Sequence, residues 1–308
     1  MTVEHPFRFA VVANGTEGPE WTALAQRVEA LGYDALLVTD HVTDRVAAVP
    51  ALAVAAAHTD RIGVGTFVLN NDLRHPVLLA KDFAALDALS GGRALLGLGA
   101  GWMSSDYEVT GVPRERGAVR LARLRQSVGI VRSLLAGAAV DVDGPHYRVR
   151  ADAGLIAHDG PGPRLLLGGG RRGALEFAAR EADIVSVVPP LGPQGPRDVT
   201  DLAPQRVDEQ VGWVRAASAG RREAPRMNHV VWECFVTARP APIVAALATA
   251  FGTTPDLVAQ SPSFLVGSVD SVVDALWSRR ERWGFSFVTV PVAALDAFAP
   301  VVARLTGR

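Results

Sequence analysis

The chain has one cysteine, Cys234, in 308 residues. A lone cysteine excludes an internal disulfide and any zinc site built from cysteine pairs. An excess of charge of either sign is also missing: 31 Lys and Arg stand against 32 Asp and Glu, a net charge of -1. Such a balance gives no long-range pull on nucleic acid or on an anionic membrane. Long hydrophobic runs are absent. The apolar stretch Val49 to Ala57, which runs back without a polar residue to Val46, is far below the roughly 20 residues of a membrane helix. The amino terminus leads straight into a strand without a signal-peptide pattern, so a soluble, cytoplasmic protein is expected. No Gly-x-Ser-x-Gly elbow and no Gly-Lys-Ser/Thr phosphate loop occurs, and no His/Cys/Asp set sits at metal-ligand spacing. No metal is expected.

What is present is core material and punctuation. Hydrophobic residues make up 49% of the chain, ample for one large α/β domain. The most informative stretch is Gly91 to Gly101 followed by Trp102. It reads as a turn, a buried strand from Arg93 to Leu98, and a strand end of Gly99-Ala100-Gly101. Glycines there leave bare backbone against which a flat ligand can lie. Seven further strands are predicted at Phe7 to Ala13, Tyr33 to Thr39, Arg61 to Leu69, Leu165 to Leu167, Asp183 to Val188, Asn228 to Thr237 and Phe285 to Val290. Helical patterns separate them. The clearest, Arg114 to Leu135, carries an apolar stripe of Leu121, Leu124, Val128, Val131 and Leu135. A hairpin is expected within Val140 to Arg164. Residues 189–204, rich in proline and glycine, read as a lid insertion. The alternation predicts a single (β/α)8 barrel over residues 1–308. A doubly wound sheet is the rival, because Gly97 to Gly101 superficially resembles a dinucleotide loop. No amphipathic helix follows that loop, and no acidic strand end lies at the usual offset.

In a barrel, function gathers at the C-terminal strand ends. Those ends are Asn14, Asp40-His41, Phe67 to Asn71, Gly99 to Trp102, Gly168 to Arg171, Ser186 to Pro190, Cys234 to Thr237 and Val290-Pro291. The set is poor in carboxylates, which points to a cofactor that brings its own reactivity. Asp40-His41 reads either as a capping pair or as a proton-transfer site. Gly168-Gly169-Gly170 with Arg171 at a helix start reads as a tight turn or as an anion site of open amides. Ser104, Ser105 and Asp106 are candidates for a ligand's edge. Cys234, Trp232, Trp277 and Trp283 read as packing, and His58, His75, His146, His158 and His229 form no pattern.

Several of these pieces together resemble the luciferase-like monooxygenase superfamily and, within it, the deazaflavin (coenzyme F420)-dependent oxidoreductases. They are Val38-Thr39-Asp40-His41, Gly63 to Leu69, Gly91 to Trp102, Arg120-Leu121-x-x-Leu124, Ile130 to Leu135, Asp143-Gly144-x-x-Tyr147, Gly168-Gly169-Gly170 and Ala182-Asp183. The resemblance implies a luciferase-like barrel binding F420, with FMN as the alternative. It implies ring contacts from Asp40, Phe67, Val68, Leu69, Gly99, Ala100 and Gly101, with Phe67-Val68 where relatives carry a non-prolyl cis peptide. The phosphate arm falls to Gly168, Gly169, Gly170, Arg171, Ser186 and Val187. His41 and Trp102 are the implied catalytic positions. Sugar-phosphate-oxidising relatives have a glutamate where this chain has Trp102, which argues for a more apolar substrate. The expected activity is hydride transfer between F420 and a small organic molecule at the barrel mouth. An FMN-dependent monooxygenase and a non-catalytic flavin-binding barrel are the alternatives. Related barrels suggest a homodimer.

Overall fold

The computed structural model describes residues 5–13, 18–156, 160–193, 195–196 and 198–308. Asn14, His158 and, within the 189–204 insertion, Gln194 and Arg197 lie outside them. In chain order the elements are β1 (Arg8–Ala13), α1 (Gly18–Ala30), β2 (Ala35–Val38), α2 (Ala48–Ala57), β3 (Gly63–Thr66), β4 (Leu69–Asn70), α3 (Pro76–Ser90) and β5 (Ala94–Gly99). Next come α4 (Ser104–Thr110), α5 (Gly117–Leu135), β6 (Val140–Asp143), β7 (Arg148–Ala151), β8 (Arg164–Gly169), α6 (Arg172–Glu181) and β9 (Ile184–Val187). The remainder is β10 (Leu191–Gly192), β11 (Gly195–Pro196), α7 (Pro204–Ser218), β12 (Arg226–Val230), β13 (Glu233–Val236), α8 (Pro240–Ala250), α9 (Pro255–Gln260), β14 (Phe264–Gly267), α10 (Val269–Trp283), β15 (Phe285–Pro291) and α11 (Leu295–Leu305).

The main sheet runs β3-β2-β1-β15-β12-β9-β8-β5-β4, and β3 also pairs with β5. Setting aside the two-residue β4, this is the closed parallel ring of a (β/α)8 barrel. Each of the eight strands expected from sequence contributes one member. Two differ instructively. The third is interrupted after Thr66 and resumes at Leu69. The seventh ends at Val230, where Val231 N donates to Thr289 O and Trp232 N to Ser263 O. The chain thereby leaves the barrel, and β13 pairs with β14 in a separate parallel sheet. Cys234 to Thr237 therefore do not form a barrel strand end, contrary to the sequence pattern. The expected hairpin is β6–β7. Among the described residues, no helix is long and apolar enough to cross a membrane.

The chain divides into two compact units. One comprises Met1–Ala13, Arg27–Leu36 and Leu166–Arg308; the other comprises Asn14–Gln26 and Leu37–Leu165. The first packs around aromatic rings. Phe9 meets Phe298 at 5.7 Å and Phe7 meets Trp277 edge-on at 5.1 Å, both favourable geometries. Between β9, β12 and β15 lies a buried polar relay: Ser186 Oγ donates to Asn228 Oδ1, and Asn228 Nδ2 donates to Phe287 O and Thr289 Oγ1. His229 is buried beside it, stacked on Phe285 at 4.8 Å.

In the second unit, Gly91 and Gly92 both take positive φ, which turns α3 into β5. The next residue, Arg93, uses its guanidinium as a staple. It donates to Ser90 O at 2.6 Å, Ile62 O at 2.8 Å and Ala56 O at 2.9 Å, tying the ends of α2 and α3 to the start of β3. The buried side of α5 is rotated from the expected stripe. Arg120 is buried while Leu121 and Leu135 are only half-buried, because the Arg120 Nε donates to Ala100 O at 3.2 Å.

Burial lowers the His229 pKa from 6.5 to about 3, and nearby Arg279 adds to the effect. Between those values the unfolded chain carries the extra proton and the folded chain does not. His229 therefore costs no stability above pH 6.5 and removes progressively more as pH falls toward 3. We expect the urea midpoint to fall between pH 7 and pH 4, and less steeply in His229→Gln. Equal slopes in the two proteins would contradict this.

Candidate active site

The interruption of the third barrel strand shapes the second unit's site. The Phe67-Val68 peptide is cis, and Phe67 N donates to Val38 O at 2.8 Å. The resulting bulge lies against β5. A Cβ on Gly97 would sit 1.8 Å from Thr66 O, and one on Gly99 would sit 2.7 Å from Val68 Cγ2. Thr66 Oγ1 donates to Gly97 O at 2.7 Å, sealing the contact. The glycines of β5 thus admit the bulge. At Gly101, where φ is +75°, Tyr107 Oη and Asn70 Oδ1 occupy the equivalent space. The space over these glycines, expected from sequence to take a flat ligand, is filled by protein. What stays accessible is a half-buried surface of Phe67, Val68, Ala100, Gly101 and Trp102. Leu69 is wholly buried, in register with Leu98.

Asp40 holds the bulge from the other side. Its carboxylate takes both terminal nitrogens of Arg74, Nη1 and Nη2, the latter at 2.6 Å, and accepts Asn70 N at 3.0 Å. A bidentate guanidinium–carboxylate pair is among the strongest side-chain contacts. Asp40 is therefore spent on structure. Below it, Asn70 Oδ1 accepts Asp72 N at 3.0 Å. Asp72 takes Tyr107 Oη at 3.1 Å and Arg123 at 2.9 Å. Burial, reinforced by Asp72, pushes the Tyr107 phenol up to about 12, so it stays protonated and donating. A cleft of about 420 Å³ opens nearby, lined by Asp72, Arg74, His75, Arg123, His146 and Tyr147 among others. Its two arginines are already neutralised by Asp40 and Asp72. Neither His41 nor Trp102 lines it.

His41 stands apart from that closed network. Its Nδ1 lies 3.0 Å from Asp106 Oδ2, and Val42 N donates to Asp106 Oδ1 at 3.1 Å. The His41 side chain is 22% exposed and that of Asp106 only 3%. The preceding turn is fixed by Asp44, whose Oδ2 accepts His41 N at 3.0 Å and Thr39 Oγ1 at 2.7 Å. Trp102 meets the imidazole edge-on, 5.5 Å between centroids and 88° between planes. Arg114 donates to Trp102 O at 3.0 Å. An imidazole held by a buried carboxylate, beside an apolar half-exposed surface, can accept and return a proton.

The first unit carries its own cluster. Gly168 and Gly169 pair with Ser186 and Val187 at the ends of β8 and β9. Gly170 lies so close to Pro189 and Pro190 that a Cβ would approach backbone atoms at 2.4 Å. Gln210, unremarkable in sequence, is buried on α7 and donates to both Gly170 O and Val188 O at 2.9 Å. Arg171 is exposed at the start of α6, and its own side chain does not cap that helix end. Ser186, expected to face a phosphate, has its hydroxyl committed to Asn228 in the core. Arg74 and Tyr107 are neighbours of the site that the sequence does not single out, and Arg120 enters there only within a family motif, without its contact to Ala100. Each acts through a contact between residues far apart in the chain, which spacing cannot reveal.

A family model described as luciferase-like monooxygenase matches residues 5–236. The F420-dependent glucose-6-phosphate dehydrogenase of Beutenbergia cavernae is 34% identical over 171 residues, covering 53% of this chain and 49% of that protein. The enzyme of the same name from Mycobacterium tuberculosis is 31% identical over 176 residues, covering 53% and 51%. The chain thus spans about half the length of the curated relatives it matches. Among solved structures, an F420-dependent secondary alcohol dehydrogenase with an F420-acetone adduct superposes with a TM-score of 0.80 at 15% identity, covering 98% and 99% of the two chains. Monooxygenase RslO1 from Streptomyces bottropensis gives 0.77 at 22% identity, covering 97% of each. These two share the fold with this chain.

The bulge contact is open to a direct check. Gly97→Ala must displace the backbone at Thr66, and we expect it to cost about 3 kcal/mol, the upper end of overpacking effects. An unchanged urea midpoint would contradict the packing described.

Proposed function

The chain belongs to the luciferase-like monooxygenase family, and from that premise we propose that it is an F420-dependent oxidoreductase acting on a small organic substrate. The observation that carries this reading is the His41–Asp106 pair beside Trp102 and the half-buried Phe67-Val68 bulge. It offers one proton carrier and an apolar face for a ring, and little else that reacts. Relatives named F420-dependent glucose-6-phosphate dehydrogenase support the choice of cofactor. When bound, the deazaflavin supplies a carbon that accepts or gives hydride. In the second unit, Phe67, Val68, Ala100, Gly101 and Trp102 are the residues suited to hold a flat ring, and His41 handles the proton. In the first unit, the backbone at Gly168, Gly169 and Gly170, with Val187 and the Arg171 guanidinium, is suited to a phosphate. Trp102 against the imidazole, with the half-buried Phe67 and Val68, offers an apolar surface beside His41, which favours an organic substrate without a phosphate. A lone cysteine can form no internal disulfide, so the fold needs no oxidising compartment, and we place the protein in the cytoplasm.

We also propose a homodimer through α2 and α3. The outward residues of α2 are Pro50, Ala53, Val54 and Ala57, none of them charged. On α3, Leu78 and Leu89 are 62% and 81% exposed, with Lys81 and Asp82 exposed between them. The uncharged side of α2, flanked by these leucines, is suited to an association surface with a charged edge. Val54→Glu is expected to turn a dimer into a monomer in analytical ultracentrifugation; a wild-type protein that sediments as a monomer would overturn this.

The cofactor proposal is tested by fluorescence titration with F420 and, separately, with FMN. Saturable binding of F420 in the micromolar range is expected, weakened about tenfold in Arg171→Glu, which corresponds to one charge-assisted contact. Binding of reduced FMN without F420 binding, with substrate-dependent oxygen uptake, would select a monooxygenase instead. Tight cofactor binding with no hydride transfer across a panel of alcohols, enones and imines would select a non-catalytic barrel.

A further inference from the structure

We propose that Asp106 is a positioning residue that fixes the tautomer of His41, keeping the proton on Nδ1 and the lone pair on Nε2. The argument is geometric. Asp106 Oδ2 is 3.0 Å from His41 Nδ1, and Oδ1 accepts the Val42 amide at 3.1 Å. With both oxygens engaged, the carboxylate cannot rotate to present a different face. A carboxylate is an acceptor only, so the nitrogen facing it must donate. The neutral imidazole has one N–H, and placing it on Nδ1 leaves Nε2 as the acceptor.

The ring is also held against rotation. Asp44 accepts the His41 amide and the Thr39 hydroxyl, which fixes the backbone. Trp102 stands perpendicular to the imidazole at 5.5 Å, and its own backbone is fixed by Arg114. A free imidazole in water favours the opposite tautomer, with its proton on Nε2. Burial of Asp106 therefore matters: an exposed carboxylate would share its hydrogen bonds with water and hold the tautomer less firmly. Nε2 is then the single atom of the pair that can take a proton from a bound substrate and return it.

The use of this atom rests on the oxidoreductase reading, but the tautomer is a property of the protein alone. It can be read without cofactor, by long-range proton–nitrogen correlation NMR on labelled protein at a pH where the imidazole is neutral. His41 resonances are identified by their loss in His41→Asn. Wild type is expected to show the proton on Nδ1. In Asp106→Asn, the amide oxygen can accept the Val42 N–H while its NH2 faces Nδ1, so the proton is expected to move to Nε2. With F420 and an accepted substrate, Asp106→Asn is expected to lower kcat about a hundredfold with KM within about twofold, and Asp106→Glu to recover part of the loss. A wild-type proton on Nε2, or an unchanged tautomer in Asp106→Asn, would overturn the assignment. Absence of F420 binding alongside the expected tautomers would defeat the functional reading and leave the assignment standing.

Discussion

The second unit is arranged around one close approach: the backbone of Thr66 to Val68 lying directly on the glycines of β5. Gly97 and Gly99 make it possible, since a Cβ at either position would overlap the bulge. Asp40, gripped by Arg74 and holding the Asn70 amide, keeps the far end of the bulge in place. The consequence is local and functional at once. A strand that ran straight would bury Phe67 or Val68 in turn; the bulge leaves both half-exposed beside Trp102.

Around this contact, charge is matched nearly everywhere. Arg74 pairs with Asp40, Arg123 with Asp72, and Tyr107 closes the lower end of the network. Buried ion pairs of this kind contribute geometry more than net stability, and each is costly to break from one side. His41 is different. It sits on a buried carboxylate and presents its other edge to a part-exposed, mostly apolar surface. A site whose one part-exposed proton carrier among the described residues is His41 suits chemistry in which a bound cofactor does the electron transfer.

The barrel is legible in the sequence because buried parallel strands read as short apolar runs between glycine and proline punctuation. All eight ring strands can be placed that way, and His41 stands out at a strand end; Phe67-Val68 is marked only by the family resemblance. The misreadings have physical causes. Asn228 to Thr237 looks like one strand because apolar residues continue past Val230, although the chain there crosses to β14. The glycines of β5 look like a bare shelf, because sequence cannot say whether missing side-chain space is taken by protein or left for a ligand. Ser186 looks like a phosphate contact, and its hydroxyl is instead part of a relay with Asn228 and Thr289. Arg74 and Gln210 are invisible because their partners lie 34 and 40 residues away. Asp106 draws notice in the sequence only as a neighbour of the glycine run; its pairing with His41 spans 65 residues.

A crystal structure of the protein with F420 tests the central claim most directly. The account predicts the deazaflavin ring lying on the Phe67-Val68 bulge, in van der Waals contact with Trp102, with His41 Nε2 facing the space left for substrate. A ring bound instead in the cleft between Arg74, His75 and Tyr147, or bound with His41 turned away from it, would contradict the account.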